Sequence, residues 1–410
     1  MPRFSPFRAL RYRPEHDLDA VVSPPYDVLS ETEVAALAER DRHNVVHVDV
    51  PLVVHARAAD PYAASADVLR QWVRTGVLVR DDRPSLTIHR MRFVDATGAA
   101  RETVGVLGAL EVVDEGAGGV LPHERTTPKA STDRLDLTRA TRANLSPVWG
   151  LSLAGGLTAT LAEAAEAAEP VGTATLDGVV HLVQRLDDPD RVAAVSDMVG
   201  SDDVLIADGH HRYAVARSFR DEARTAAADD PGLATAAQET LAYVGELAAD
   251  QLAIAAIHRV YRGIGFDRLR TVLAASFMLS PAPTPTQATV AEMQRRGVLL
   301  LLGPDGSAEW MAPTPESFAG VRGLDGAYLE HALAGTPLEV DYQHDVTAAA
   351  RAVAEGSAVA AVLIRPTSVA EVLRTAREGL LMPPKSTFFT PKLPTGLVVR
   401  EIAGTILTAV

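Results

Sequence analysis

Residues 203–217 read Asp203-Val204-Leu205-Ile206-Ala207-Asp208-Gly209-His210-His211-Arg212-Tyr213-Ala214-Val215-Ala216-Arg217, and the change of pattern inside this stretch decides the fold class. A short apolar run marks a buried strand, which stops at Asp208-Gly209 before apolar residues resume at helical spacing. A strand that passes through glycine into a helix leaves backbone N–H groups unpaired at the helix start, where the helix dipole also favours an anion. Gly209 lets a ligand approach the backbone closely. Asp208 offers a carboxylate for Mg2+ or a hydroxyl, and Arg212 offers a planar fork for phosphate oxygens. His210 and His211 stand in the same first turn. The spacing also suits an ordinary strand-to-helix turn with a solvated basic start.

Working outward, strand and helix patterns alternate, which places the chain in the α/β (α+β) class. Upstream, Ser30-Glu31-Thr32-Glu33 resembles a helix start, and residues 44–50 alternate like a strand. Residues 61–79 have helical spacing that ends near Gly76. Residues 85–94 and 102–113 read as strands joined by a hairpin at 95–98. The pattern at 158–168 is a helix ended by Pro170, and Asp177-Gly178 turns between strands 174–176 and 179–186. A helix pattern at 191–200 leads into the opening stretch. Downstream, the alanine-rich 226–241 stretch reads as the end of a helix, followed by strands at 243–249 and 252–257. Residues 298–302 and 359–364 are strong buried-strand patterns. The expected organisation is therefore a main region over 1–265, a smaller α/β domain over 266–375, and a C-terminal segment over 376–410 that returns toward the site.

Composition narrows the function. Lys and Arg number 39 against 53 Asp and Glu, a formal charge of −14, and the global field opposes nonspecific nucleic-acid binding. The chain has no cysteine, which removes disulfides, thiolate chemistry and cysteine–zinc sites and fits a reducing cytosol. No signal-peptide core and no run of about 20 apolar residues is present, so a cytoplasmic protein without a membrane span is expected.

Three other segments carry chemistry. Pro122-His123-Glu124-Arg125-Thr126 puts an imidazole, a carboxylate and a guanidinium in one proline-limited loop, with Lys129 close behind. His123 and Glu124 are the groups that could move a proton, Glu124 being the better base. An exposed charged turn is the alternative. A helix from 131 to 143 carries Arg134 and Arg142. Tyr26-Asp27 follows two prolines, which either fix Asp27 or make a tight turn. Lys385, Ser386, Thr387 and Lys392 lie in a proline-bracketed loop and suit phosphate or a plain surface. His210 and His211 do not read as a metal pair, because adjacent residues seldom aim both imidazoles at one ion. A phosphate-binding Gly-x-x-x-x-Gly-Lys-Ser/Thr loop, a dinucleotide Gly-x-Gly-x-x-Gly turn and a Gly-x-Ser-x-Gly elbow are all missing.

Pro24-Pro25-Tyr26-Asp27, Pro122 to Thr126, Asp208 to Tyr213 and Pro383 to Lys392 together resemble the signature blocks of the domain of unknown function 1015 family. The Asp-Gly-His-His-Arg block also resembles the nucleotide site of ParB and sulfiredoxin-like proteins, including kinases of free L-serine. The resemblance implies a ParB/sulfiredoxin-like nucleotide-binding core and phosphoryl transfer from ATP or ADP, with Mg2+, to a small hydroxylated metabolite, L-serine foremost. It implies that Gly209, His210, His211 and Arg212 hold phosphates and that Arg125, Lys129, Lys385 and Lys392 neutralise charge. Asp208 would position Mg2+ or the acceptor, and Glu124 would act as base, with His123 beside it. Tyr26, Asp27, Arg134, Arg142, Ser386 and Thr387 fall to the acceptor, with Arg134 or Arg142 on its carboxylate and Asp27 on its ammonium. A regulatory nucleotide switch and a Mg2+-dependent phosphatase or nucleotide hydrolase stay open, as does a homo-oligomer. DNA partitioning is disfavoured by the acidic chain, and sulfiredoxin chemistry by the missing cysteine.

Overall fold

The computed structural model describes residues 1–95, 98–123, 131–286 and 288–402. By contacts these fall into two compact units. One comprises 1–94, 100–252 and 391–410, and the other 95–99 and 253–390. The cuts at 252/253 and 390/391 differ from the expected 265/266 and 375/376. The strand His258–Arg262 pairs with Glu339–Gln343 and Ala360–Leu363, so it belongs to the second sheet.

The first unit is built on a mixed sheet of nine strands among the described residues. Its order is Val120–Pro122, Val204–Asp208, Val148–Ser152, Glu239–Glu246, Ala100–Glu111, Leu86–Val94, Val179–Leu186 and Glu169–Leu176, with Phe4–Ser5 also on Ala100–Glu111. Two pairings are parallel, Val204–Asp208 with Val120–Pro122 and Glu239–Glu246 with Val148–Ser152. The rest are antiparallel hairpins and crossovers. Helices Leu157–Ala165 and Pro189–Val199 bury Leu157, Leu161, Val195 and Val199 in the same core as Ile88, Val106, Val204 and Val244. Fully buried strands such as Val204-Leu205-Ile206-Ala207 read as continuous apolar runs because both faces are covered.

Ser30 caps the helix Glu31–Arg40 with a complete capping box, and the helix Pro61–Thr75 ends at left-handed Gly76, both as the sequence implies. Three segments fold otherwise. Residues 44–50 do not form a strand: Val46–Asp49 is a short helix whose Val46, Val48 and Asp49 are all buried. Valine alternation signals a pleat, but here a segment buried on every side needs valine whatever its conformation. The helix before Pro170 stops at Ala165, and Pro170 lies in the edge strand Glu169–Leu176, where a missing N–H is tolerated. The alanine-rich 226–241 stretch is broken after Thr225. Pro231 then starts a separate helix, Pro231–Ala236, and Glu239 begins a strand.

The second unit holds a six-stranded antiparallel sheet, ordered Phe277–Pro281, Ala308–Pro313, Leu299–Leu302, Ala360–Leu363, His258–Arg262 and Glu339–Gln343. Leu299 and Leu301 join one core with Leu269 and Leu273, while Leu300 and Leu302 join another with Val346, Ala349 and Val353. Helices cover both faces, so alternate leucines point into different layers and the strand shows no polar alternation. Among the described residues no helix is long and apolar enough to cross a membrane.

Candidate anion and acceptor site

The parallel pair Val120–Pro122 and Val204–Asp208 positions the first part of the site. Pro122 lies opposite Ile206, so the two strands end together. His123 therefore arrives beside the start of the helix His210–Thr225. Its ring is 4.9 Å from that of His210, and its Nδ1 hydrogen-bonds the Ile206 carbonyl. A carbonyl can only accept, so Nδ1 carries the proton and Nε2 keeps its lone pair. Burial above all lowers His123 to about 4, against the pull of that carbonyl and Asp208. Burial and then His123 take His210 to about 3. Both rings are neutral at pH 7. The Nε2 of His210 is buried with no hydrogen-bond partner among the described residues.

Gly209 precedes the helix at φ +84°, where L side chains are strained, and a Cβ there would lie 3.0 Å from Arg212 Nε. Among the described residues no N-cap side chain accepts from this helix start. The Gly209 carbonyl accepts the Tyr213 N–H, so the N–H groups of the preceding turn have no intrahelical acceptor. Beside them, Asp208 is held between two cations. Its Oδ1 accepts from Lys392 Nζ at 2.8 Å and its Oδ2 from Arg212 Nη2 at 2.7 Å. Burial would raise the Asp208 pKa, but Lys392 and Arg212 outweigh it and bring it down to about 2. Arg212 also donates to the Pro147 carbonyl and lies 4.0 Å from Asp27, while its buried Nε has no partner among the described residues.

A second ionic cluster lies in the same unit, around Asp49. Arg134 Nη1 reaches Asp49 Oδ1 at 3.1 Å and the Asp49 carbonyl at 2.7 Å, and Arg134 Nε reaches Asp133 at 2.8 Å. Its guanidinium sits 4.0 Å over the Tyr26 ring, a cation–π contact. Asp49 is nearly inaccessible, and burial raises its pKa despite Arg134 and Arg212. Ser146 Oγ is 3.4 Å from Asp49 Oδ2 and 3.5 Å from Oδ1. Tyr26, Asp49, Arg134, Ser146 and Arg212 line one cavity of about 50 Å3, which continues past Val215 and Ala216 to Phe219.

The structure thus brings together Asp208, Gly209, His210, Arg212, His123 and Lys392 at one strand edge, and Tyr26 and Arg134 around a cavity shared with Arg212. Asp27 lies at the Arg212 end, and His211 is half-buried in the first helical turn. Arg142 is left-handed at φ 47° and its side chain pairs with Asp230 at 2.9 Å. Lys385, Ser386 and Thr387 belong to the second unit. There the Lys385 carbonyl accepts from Arg259, and the Ser386 hydroxyl donates to the Pro383 carbonyl. Thr387 is buried. Glu124, Arg125 and Lys129 lie outside the described residues. Asp49 was not expected at all. Its only signal in the sequence is an acid set in the valine-rich run Val45 to Val50, where a buried carboxylate demands a cationic partner.

The chain belongs to the family described as Protein of unknown function (DUF1015), whose model matches residues 4–327. No curated protein matches it. Among solved structures it is similar to a conserved hypothetical protein from Pyrococcus furiosus, at 14% identity and TM-score 0.38 over 69% of this chain and 92% of that one. It is also similar to a free serine kinase in complex with AMP, at 13% identity and TM-score 0.38 over 68% and 89%. A third is SbnI with a C-terminal truncation from Staphylococcus aureus, at 12% identity and TM-score 0.39 over 72% and 87%.

Proposed function

We propose that this chain is a nucleotide-dependent phosphotransferase acting on the hydroxyl of a small metabolite, with ATP or ADP as donor and free L-serine, giving O-phosphoserine, as the leading acceptor. The observation that carries the proposal is the gathering of Lys392 and Arg212 on Asp208 beside the glycine-led start of the helix His210–Thr225. Two cations set beside helix N–H groups that have no intrahelical acceptor favour phosphate oxygens as the complementary ligand. The resemblance of the Asp208 to Arg212 block to the nucleotide site of ParB and sulfiredoxin-like proteins, including free serine kinases, supports the reaction type and the acceptor.

In this reading Asp208 orients Lys392 and Arg212 before the nucleotide arrives, so little reorganisation accompanies binding. The acceptor oxygen bonds to the terminal phosphorus as the bond to the bridging oxygen breaks, and the hydroxyl proton passes to Glu124. Positioning and charge neutralisation carry most of such a transfer, so no covalent nucleophile is needed. Among the described residues no group of three metal-ligating side chains occurs. Both Asp208 oxygens already carry a cation. Mg2+ would come with the donor phosphates.

The test is incubation with ATP or ADP, Mg2+ and a panel of hydroxy amino acids, read by mass spectrometry. O-phosphoserine is expected. Another phosphorylated acceptor would replace serine and keep the class. Phosphate release with no acceptor product would make the chain a hydrolase, and nucleotide binding with no turnover would make it a switch. Glu124→Gln is expected to suppress turnover more than nucleotide affinity.

A further inference from the structure

We propose that the cavity between Asp49 and Arg212 is a receptor for a small amino-acid zwitterion, with Asp49 reading the ammonium group and Arg212 the carboxylate. The proposal rests on the phosphotransferase reading for its role, because it would make this cavity the acceptor subsite. It does not rest on that reading for its chemistry.

Both ends of the zwitterion find an underused group. Asp49 has one oxygen on Arg134, whereas among the described residues its Oδ2 meets only the Ser146 hydroxyl at 3.4 Å, a weak contact. Arg134 is itself divided between Asp49 and Asp133, and Arg212 acts on Asp49 without an ion pair among the described residues, so a ligand ammonium would complete the pairing of Asp49. At the other end, the Arg212 side chain is 9% exposed and its buried Nε has no hydrogen-bond partner among the described residues. A buried guanidinium N–H without an acceptor is costly, and a ligand carboxylate would satisfy it. Arg134 then serves as the positioning residue of Asp49, held over Tyr26, rather than as a carboxylate ligand.

Size sets the class. The cavity of about 50 Å3 leaves room for roughly four waters on the usual requirement of about 10–15 Å3 each. That is the scale of serine or alanine and too little for a sugar, a nucleoside or an aromatic amino acid. Val215, Ala216 and Phe219 in the lining tolerate a methyl or methylene, and Thr138 and Thr240, which also line the cavity, suit a small hydroxyl.

The experiment is calorimetric binding to the full chain without nucleotide, using L-serine, L-alanine, D-glycerate, ethanolamine and L-phenylalanine. L-alanine cannot be phosphorylated, so its binding is independent of any kinase activity. Expected are similar affinities for L-serine and L-alanine, and affinities lower by about tenfold or more for D-glycerate and ethanolamine, each of which lacks one charged group. L-phenylalanine should not bind. Asp49→Asn should weaken L-alanine about tenfold or more and leave D-glycerate within about twofold. Should Asp49→Asn fail to fold, the wild-type ligand series alone decides. Glycerate binding as tightly as serine, or no amino acid binding at all, would overturn the proposal. Amino-acid binding without phosphate transfer would keep the receptor and remove the kinase.

Discussion

Two acid–base clusters of the first unit are built from the same residue types with different pairing around the central acid. At Asp208 two cations share one carboxylate, Lys392 at 2.8 Å and Arg212 at 2.7 Å. At Asp49 the ion-paired cation, Arg134, is shared by two carboxylates, while Arg212 acts on Asp49 without an ion pair among the described residues. The protonation equilibria follow. Both acids are penalised by burial, but Lys392 and Arg212 reverse the penalty and hold Asp208 at about 2, whereas Asp49 ends above its ordinary value. Burial by itself therefore does not predict the charge a cluster seeks. The charged groups placed around each acid do, and on that ground we propose an anion as the ligand of the first cluster and a cation as that of the second.

The broadest test separates the clusters by their neighbours. His123 and His210, beside Asp208, are depressed by burial to about 4 and about 3. A histidine whose folded pKa is depressed stabilises the fold above its unfolded pKa near 6.5, and that stability is lost as pH falls toward the folded value. Lowering pH from 7.5 to 5 is expected to cost on the order of 1–2 kcal/mol for each such histidine, read as the shift in denaturant midpoint. His181 and His258, also pushed to about 4 by burial, add to the loss. Asp208 contributes only at lower pH, between the ordinary carboxylate range and about 2. A midpoint that is flat from pH 7 to 5 would show that these rings are solvated and that the wall of the anion cluster is misassigned.

Arg212→Ala should cost about 3 kcal/mol of stability, since it removes a nearly buried cation and leaves Asp208 with Lys392 alone. Nucleotide affinity should fall with it. Arg212 lines both sites, so L-alanine binding should fall too, and loss of one ligand without the other would divide the clusters. Gly209→Ala comes next. The φ of +84° and the 3.0 Å approach to Arg212 Nε predict a cost of about 1–2 kcal/mol and a displaced guanidinium. Its effect on nucleotide binding, read by calorimetry, should exceed its effect on L-alanine.

The anion cluster was more legible in the sequence than the cation cluster, for a physical reason. Strand, glycine and helix follow one another in residues 203–217, so local chemistry alone announces an uncapped helix start, and His123 is added by one parallel pairing that the Pro122-His123 block hinted at. Asp49 has no such local signature. Its partner lies 85 residues away at Arg134, and its segment looks like a strand because valine suits any fully enclosed backbone. The 382–396 loop shows the opposite limit: it reads as one proline-bracketed loop, yet Lys385 and Lys392 belong to different units. Prolines mark where a chain turns, not which core each side of the turn joins.

Lys392→Met is the smallest and most selective way to separate the clusters. It removes one of the two cations on Asp208 while leaving the Asp208–Arg212 pair intact, so the fold should change by less than the Arg212 variant changes it. With the pair reduced to one cation per carboxylate, nucleotide affinity should drop about tenfold, the effect of losing one charge-assisted contact. The loss should shrink as salt rises, because a partly exposed lysine is screened. Asp208, at 24% side-chain exposure, should titrate higher than in the parent protein. L-alanine affinity should stay within about twofold, since Lys392 does not line the Asp49 cavity. An equal loss for both ligands would mean that the two clusters act as one network, and that partner counting at each carboxylate cannot be used to assign what it binds.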